Sequence, residues 1–321
     1  MKPRFTIKES LFSGLVAGYL THGTASSNPL KKYVVELTTS EGKKFSQVFI
    51  GRCSLKNKPL IVWFHGWIDN ELSYYDLSVE NQDEFNILFP QDRAGHLRAG
   101  SWWLGGSDSD TWVYPVCTKY FVSYLQANIY CGPLIFAGSS MGGFGTLMNS
   151  CFYNGVYCFV SVPQTHLDPK GSYFKDRNQN FLKKLGIDKD NFKMLTDSIS
   201  LLDLTKDSQV MSFKAGGISL PCTHIPRFVH ITATSWDSQD SGCSYLSDYI
   251  LPYIRRLHKM SVPISTSIMP VSGHDLFFYP DAVAHYAQKY ILSGVIDSRR
   301  SYSYQALQEQ GLFTSTTTLR L

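Results

Sequence analysis

The 321-residue sequence contains no uninterrupted apolar run approaching the roughly 20 residues that a membrane-spanning helix requires. It contains no C-x-x-C pair and no Cys/His spacing typical of a metal site, so neither a bound metal nor a dithiol redox centre is expected. Its seven cysteines are odd in number and dispersed, a pattern of buried thiols in a reducing compartment rather than of a disulfide framework. Charge is sparse, at 17% of residues, and the net +4 is spread along the chain. A nucleic-acid-binding surface is therefore not expected, and the short clusters Lys31-Lys32 and Arg255-Arg256 read as solvated faces. Internal repeats are absent as well. These absences favour a cytoplasmic protein. Secretion is the alternative, because Lys2, Arg4 and Lys8 precede the apolar stretch from Leu11 to Leu20, and Gly23-Thr24-Ala25 resembles a small-residue cleavage site. Glu9, Ser13, Gly14 and Gly18 weaken that leader-like pattern.

What is present is a large folded chain: 43% hydrophobic residues and 14% aromatic residues can bury a sizeable core. Tyr33 to Thr39 and Phe45 to Ile50 read as a hairpin around Glu41-Gly42. Apolar strands are expected at Pro59 to Phe64, Phe85 to Phe89, Leu134 to Ala137, Tyr157 to Val162, Pro226 to Thr234 and Pro263 to Met269. Helices are expected from Thr111 to about Asn128, from Thr146 to Phe152, from about Ser244 to Lys259 and from Ala282 to Leu292. Strands alternating with helices imply right-handed crossovers, a mostly parallel sheet and the α/β class. Residues 166–222 are polar and partly helical, an insertion over one edge of that sheet, and the tail from 296 to 321 is rich in Ser, Thr and Gln.

The most informative stretch is Leu134-Ile-Phe-Ala-Gly138-Ser139-Ser140-Met141-Gly142-Gly143. A strand that turns abruptly into a helix strains the residue at the bend, and its neighbours two positions away must be small to avoid collision. Here both are glycine, and Ser140 sits at the bend. The turn would lift its hydroxyl clear of the sheet and put the Met141 N–H at a helix N-terminus, where a developing oxyanion is favoured.

A serine hydroxyl needs a base, and the base needs an orienting acid. In a parallel sheet the strand ends meet along one rim. After the last strand comes Ser272-Gly273-His274, which offers the base. After the preceding strand comes Ser235-Trp236-Asp237-Ser238-Gln239-Asp240, which offers Asp237 as the acid, with Asp240 as the alternative. The dipeptide His65-Gly66 ends an apolar strand, and the backbone N–H of Gly66 or Trp67 would join that of Met141 in an oxyanion hole. The loop from Asp92 to Gly106 carries Arg93, Arg98, Trp102 and Trp103, with His65 beside it. Trp faces stack on sugar rings and Arg forks bind anions, so these residues read as a substrate wall for a charged glycan, with packing as the competing role of the two Trp.

Taken together, Phe64-His65-Gly66, Gly138-Ser139-Ser140-Met141-Gly142-Gly143, a loop acid after the penultimate strand and Ser272-Gly273-His274 resemble the α/β-hydrolase superfamily over roughly residues 30 to 293. The resemblance implies Ser140 as nucleophile, His274 as base, Asp237 as acid, and backbone donors near Trp67 and Met141. Gly100-Ser-Trp-Trp-Leu-Gly105 and Ser161-Val-Pro-Gln-Thr165 in addition resemble strings in bacterial proteins linked to glycan modification, some of which are similar to carbohydrate O-acetyltransferases. The expectation is an α/β-hydrolase domain over 31–295, carrying the insertion, between an N-terminal segment of residues 1–30 and the tail. The expected activity is serine-dependent acyl transfer on a small-molecule or glycan ester. Hydrolysis needs no cofactor, whereas an O-acetyltransferase would need an acyl donor such as acetyl-CoA. A non-catalytic glycan-binding module is the third reading.

Overall fold

A computed structural model describes residues 2–12, 29–66, 76–93, 100–101, 103, 105, 113–129, 132–165, 212–215, 218–221, 224–236, 244–273 and 279–293. The strands are β1 (Arg4–Leu11), β2 (Lys31–Thr38), β3 (Lys44–Arg52), β4 (Leu60–Phe64), β5 (Asn86–Pro90), β6 (Leu134–Ser139), β7 (Tyr157–Ser161), β8 (Ser212–Ala215), β9 (Ile218–Pro221), β10 (Phe228–Trp236) and β11 (Ile264–Ser272). The helices are α1 (Val113–Ile129), α2 (Met141–Ser150), α3 (Leu251–Lys259) and α4 (Pro280–Ala287). A π-helical turn, Tyr245–Ile250, leads into α3, and another, Gln288–Leu292, continues α4.

Nine strands form one sheet in the order β1-β2-β3-β5-β4-β6-β7-β10-β11. β1, β2, β3 and β5 pair antiparallel in sequence, and every pairing from β5 through β4, β6, β7 and β10 to β11 is parallel. The residue pattern explains the division. β2 alternates buried Tyr33, Val35 and Leu37 with half-buried positions, as a sheet wetted on one face requires. β4, β5, β6 and β7 are buried at every position, as parallel strands covered on both faces must be.

Two apolar layers do the covering. On one face α1, α2 and α3 pack Phe121, Phe144, Leu147 and Tyr253 against Val62, Phe64, Phe136 and Val160. On the other, α4 packs Val283, Ala284 and Ala287 against Ile61, Ile135 and Phe159. Cys53, Cys117, Cys151 and Cys158 are buried, and burial pushes the Cys117 thiol up to about 12, so this thiol is chemically quiet.

Three features differ from the sequence reading. Arg4–Leu11, part of the stretch that reads as leader-like, is an edge strand whose Phe5 stacks on Tyr120 of α1. The helix after Ser140 starts at Met141, with that N–H at its N-terminus as read from the sequence, and it takes in the small residues before Thr146. β10 and β11 run further than expected, to Trp236 and Ser272, because the two extensions pair with each other beyond the end of β7. Within the expected insertion, β8 and β9 form a separate antiparallel hairpin whose Ile218 and Leu220 pack on the same apolar layer as α1. The rest of that insertion and the C-terminal tail lie outside the described residues.

Candidate active site

All six parallel strands from β5 to β11 end at one rim, and Ser140 stands at its centre. Its backbone is at φ 54°, ψ −119°, a conformation that L-residues avoid and that costs on the order of 1–3 kcal/mol. The strain is imposed by packing. A Cβ on Gly142 would lie 2.0 Å from the Phe64 carbonyl oxygen, and one on Gly138 would lie 2.6 Å from the same atom. Only glycines let α2 start this close to β4. The bend is fixed from both sides, since the Ser140 N–H donates to the Ser161 carbonyl at 3.0 Å and the Phe144 N–H donates to the Ser140 carbonyl at 3.1 Å. Serine before a helix usually caps it, but the Ser140 side chain makes no capping bond. Met141 opens α2, so its N–H is one of the first-turn amides that a helix leaves without an internal acceptor.

Next to this bend lies the end of β4. Gly66 approaches the Ser139 carbonyl, with 3.5 Å from a built Cβ to that oxygen. His65 is 4% exposed, and both its nitrogens face backbone: Nδ1 is 2.7 Å from the Gly66 carbonyl, and the Asp92 N–H donates to Nε2 at 3.0 Å. Burial lowers the imidazole pKa to about 4, against the Gly66 carbonyl, which favours the charged ring, and aided by nearby Arg93. The ring is neutral at physiological pH.

Asp92 follows β5 and is buried. Its carboxylate accepts from the Ser101 N–H at 2.6 Å, the Ser101 hydroxyl at 2.9 Å and the Trp103 N–H at 2.8 Å. Ser101 Oγ in turn accepts from the Gly105 N–H. These bonds hold the Trp103 ring edge-on to Phe64, with centroids 4.9 Å apart, and 4.7 Å from the His65 ring. A Cβ on Gly145 would meet the indole at 2.2 Å, so the helix surface is shaped to that ring.

No family model matches the sequence, and no curated protein matches it. Solved structures match in architecture. The capsule O-acetyltransferase of Neisseria meningitidis serogroup A aligns over 88% of this chain and 99% of its own, at 18% identity and a TM-score of 0.50. Acetyl xylan esterase 1 from a Thermoanaerobacterium species aligns over 94% and 89%, at 14% identity and a TM-score of 0.51. A puromycin-hydrolysing peptidase of Mycobacterium tuberculosis aligns over 86% of this chain but 41% of its own, at 12% identity and a TM-score of 0.55. The chain has the α/β-hydrolase fold.

Within this α/β-hydrolase fold, Ser140, Met141, Gly66 and His65 come together at one strand–helix junction. Two candidate substrate contacts are corrected. His65 has both nitrogens committed to backbone groups, so it serves the protein and not a ligand. Trp103 is 1% exposed and packed between β4 and α2, so its faces offer no stacking platform. Arg93 is exposed at the mouth of the same loop. Trp67, Arg98, Trp102, Asp237, Asp240 and His274 lie outside the described residues, but their points of departure do not. Asp237 directly follows β10, not three residues beyond the strand, and His274 comes two residues after β11. The two strand ends are paired, Trp236 opposite Ser272, with an irregular register between Thr234 and Trp236, of the kind that re-aims side chains near active sites. Asp92 is the site residue that sequence reasoning missed. Its signal was an acid two residues after an apolar strand, in a loop that holds Ser101 and four glycines.

No group of three or more His, Cys, Asp or Glu suited to a metal ion occurs among the described residues. No helix among them is long and apolar enough to cross a membrane.

Proposed function

We propose that the chain is a serine acyl-transfer enzyme acting on a carbohydrate ester through an acyl-enzyme at Ser140. The strained serine between Gly138 and Gly142, whose hydroxyl is not used to cap its own helix, carries this reading. Strain of this size at a residue whose side chain makes no capping bond supports reading Ser140 as a nucleophile held in position. Further support comes from the similar folds, which include a capsule O-acetyltransferase and acetyl xylan esterases.

In the proposed reaction His274 takes the proton from Ser140 Oγ as that oxygen attacks the ester carbonyl. Asp237, or Asp240, orients the imidazole and stabilises its charge. The oxyanion lies between the Met141 N–H and an N–H of the Gly66–Trp67 segment, two donors that together are worth several kcal/mol in the transition state. The protonated His274 then donates to the departing alkoxide, leaving the acyl group on Ser140. Water, deprotonated by His274, completes hydrolysis. A sugar hydroxyl in place of water completes O-acyl transfer, and the acyl donor is then an ester or thioester such as acetyl-CoA. The near-complete overlap with the capsule O-acetyltransferase, 99% of that chain, favours keeping this second outcome. Arg93, Arg98 and Trp102 would face the sugar.

Release of acetate from acetylated oligosaccharides, measured with and without a free glycan acceptor, tests the proposal. Hydrolysis predicts acetate whatever the acceptor, and transfer predicts acetylated acceptor at the expense of acetate. Replacing Ser140 or His274 with Ala should lower either rate by about 10⁴-fold or more. Turnover that survives in Ser140→Ala would refute the acyl-enzyme.

A further inference from the structure

The chemistry above leaves two buried groups beside the Ser140 bend unused, His65 and Asp92. Their hydrogen bonds determine the protonation of the ring. A backbone N–H can only donate, so His65 Nε2, facing the Asp92 N–H at 3.0 Å, must be the unprotonated nitrogen. A carbonyl can only accept, so Nδ1, 2.7 Å from the Gly66 oxygen, must carry the proton. The two requirements agree on a single neutral tautomer. Protonating the ring would turn Nε2–H against the Asp92 N–H, donor against donor. The remaining freedom of the ring is removed by Trp103, which the Asp92 carboxylate holds 4.7 Å away.

The consequence lies in the next peptide. The carbonyl and N–H of one trans amide point in opposite directions, so a bond that fixes the Gly66 carbonyl also fixes the N–H of the same amide plane. We infer that His65 is a positioning residue, a two-ended neutral clamp. Its Nδ1–H sets the orientation of the Gly66–Trp67 amide, whose N–H serves as the second oxyanion donor, and its Nε2 ties that amide to the Asp92-anchored loop. The inference deepens the acyl-transfer reading and rests on it. It also gives Asp92 a part in the chemistry: its N–H holds the ring that aims the donor, while its carboxylate holds Ser101 and Trp103.

Two substitutions separate this role from packing. The Asn amide nitrogen falls near the place of Nδ1 and keeps the donor to Gly66, while the Gln amide oxygen falls near the place of Nε2 and keeps the acceptor for Asp92. Gln is closer to His in size. Under a packing role His65→Gln is therefore the milder change, and under the clamp His65→Asn is. The measured quantity is the rate at which Ser140 of the full chain is modified by a fluorophosphonate. The clamp predicts that His65→Asn slows it less than tenfold and His65→Gln slows it a hundredfold or more, the loss seen when one oxyanion donor goes. Equal losses, or the reverse order, overturn it. Nitrogen-15 spectra of histidine-labelled wild type give a second readout, independent of turnover. They should show a neutral His65 protonated at Nδ1 at pH 5.5, and an Nε2–H tautomer or a charged ring overturns the clamp even if both variants fail to fold. If wild-type Ser140 is not modified at all, the acyl-enzyme reading fails while these spectra keep their predicted form. A modified Ser140 with the wrong spectra or the wrong variant order sinks the clamp alone.

Discussion

Ser140 has a backbone conformation that L-residues avoid, at the position where the proposal puts the nucleophile. Glycine tolerates φ 54°, ψ −119° and alanine does not, so the two substitutions should part company. Ser140→Gly is expected to raise the unfolding free energy by about 1 kcal/mol, the strain relief less the added freedom of the unfolded chain, whereas Ser140→Ala gains nothing. Both should abolish turnover. Chemical denaturation of the three proteins measures the difference. Gly142→Ala tests the opposite side of the same geometry. Its Cβ would meet backbone at 2.0 Å, so α2 must withdraw from β4, at a cost on the order of 2–3 kcal/mol and with loss of activity. Two buried histidines add a pH dependence. Burial lowers the pKa of both His65 and His230 to about 4, and Lys289 contributes at His230. The folded state then binds fewer protons than the unfolded state between pH 6.5 and 4. Stability is complete above about 6.5 and falls as pH drops towards 4, by up to about 3 kcal/mol for each ring. Melting temperatures measured across that window should decline with acidification, and the decline should shrink in His230→Phe.

At the level of elements, the proposal leans most on the loop after β5 and on the ends of β10 and β11. Asp92→Ala removes the carboxylate oxygen that accepts from both the Ser101 and the Trp103 N–H and leaves these buried donors without that acceptor. The loop should loosen, with stability lower by about 2–3 kcal/mol and acylation slowed, which denaturation and probe kinetics would record. Asp237 and Asp240 are separated by position. Asp237 comes directly off the end of β10 opposite Ser272, two residues before His274, so Asp237→Asn is expected to lower kcat by about 10⁴-fold and Asp240→Asn by tenfold or less. Most of these elements were legible in the sequence. Buried parallel strands such as Leu60–Phe64 and Leu134–Ser139 are short, apolar and end in turn residues, and the G-x-S-x-G spacing marks the strand–helix bend because sterics allow little else there. What escaped was set by long-range pairing. The extensions of β10 and β11 rest on each other and leave no local mark, and the polar edge strand β1 resembles a basic leader because only its partner β2 makes it a strand. Trp103 reads as a sugar platform in sequence, since nothing local reveals that Gly145 makes room for its ring.

As a whole molecule, the chain places a mixed sheet between two apolar layers and gathers its chemistry at the rim where the parallel strands end. The antiparallel half, β1 to β3, holds none of the candidate residues, while β4, β5, β6, β10 and β11 end at the rim from which the candidate loops depart. This division predicts that substitutions on the exposed face of β1, such as Lys8→Ala, leave turnover unchanged. Those in the loops after β4, β5 and β6 should change it. The account as a whole depends on Ser140 being a nucleophile activated by His274. Mass spectrometry of the full chain after treatment with a fluorophosphonate is the most direct measurement. A single adduct on Ser140 that disappears in His274→Ala is the predicted result, and an unmodified Ser140, or an adduct that persists without His274, would contradict it.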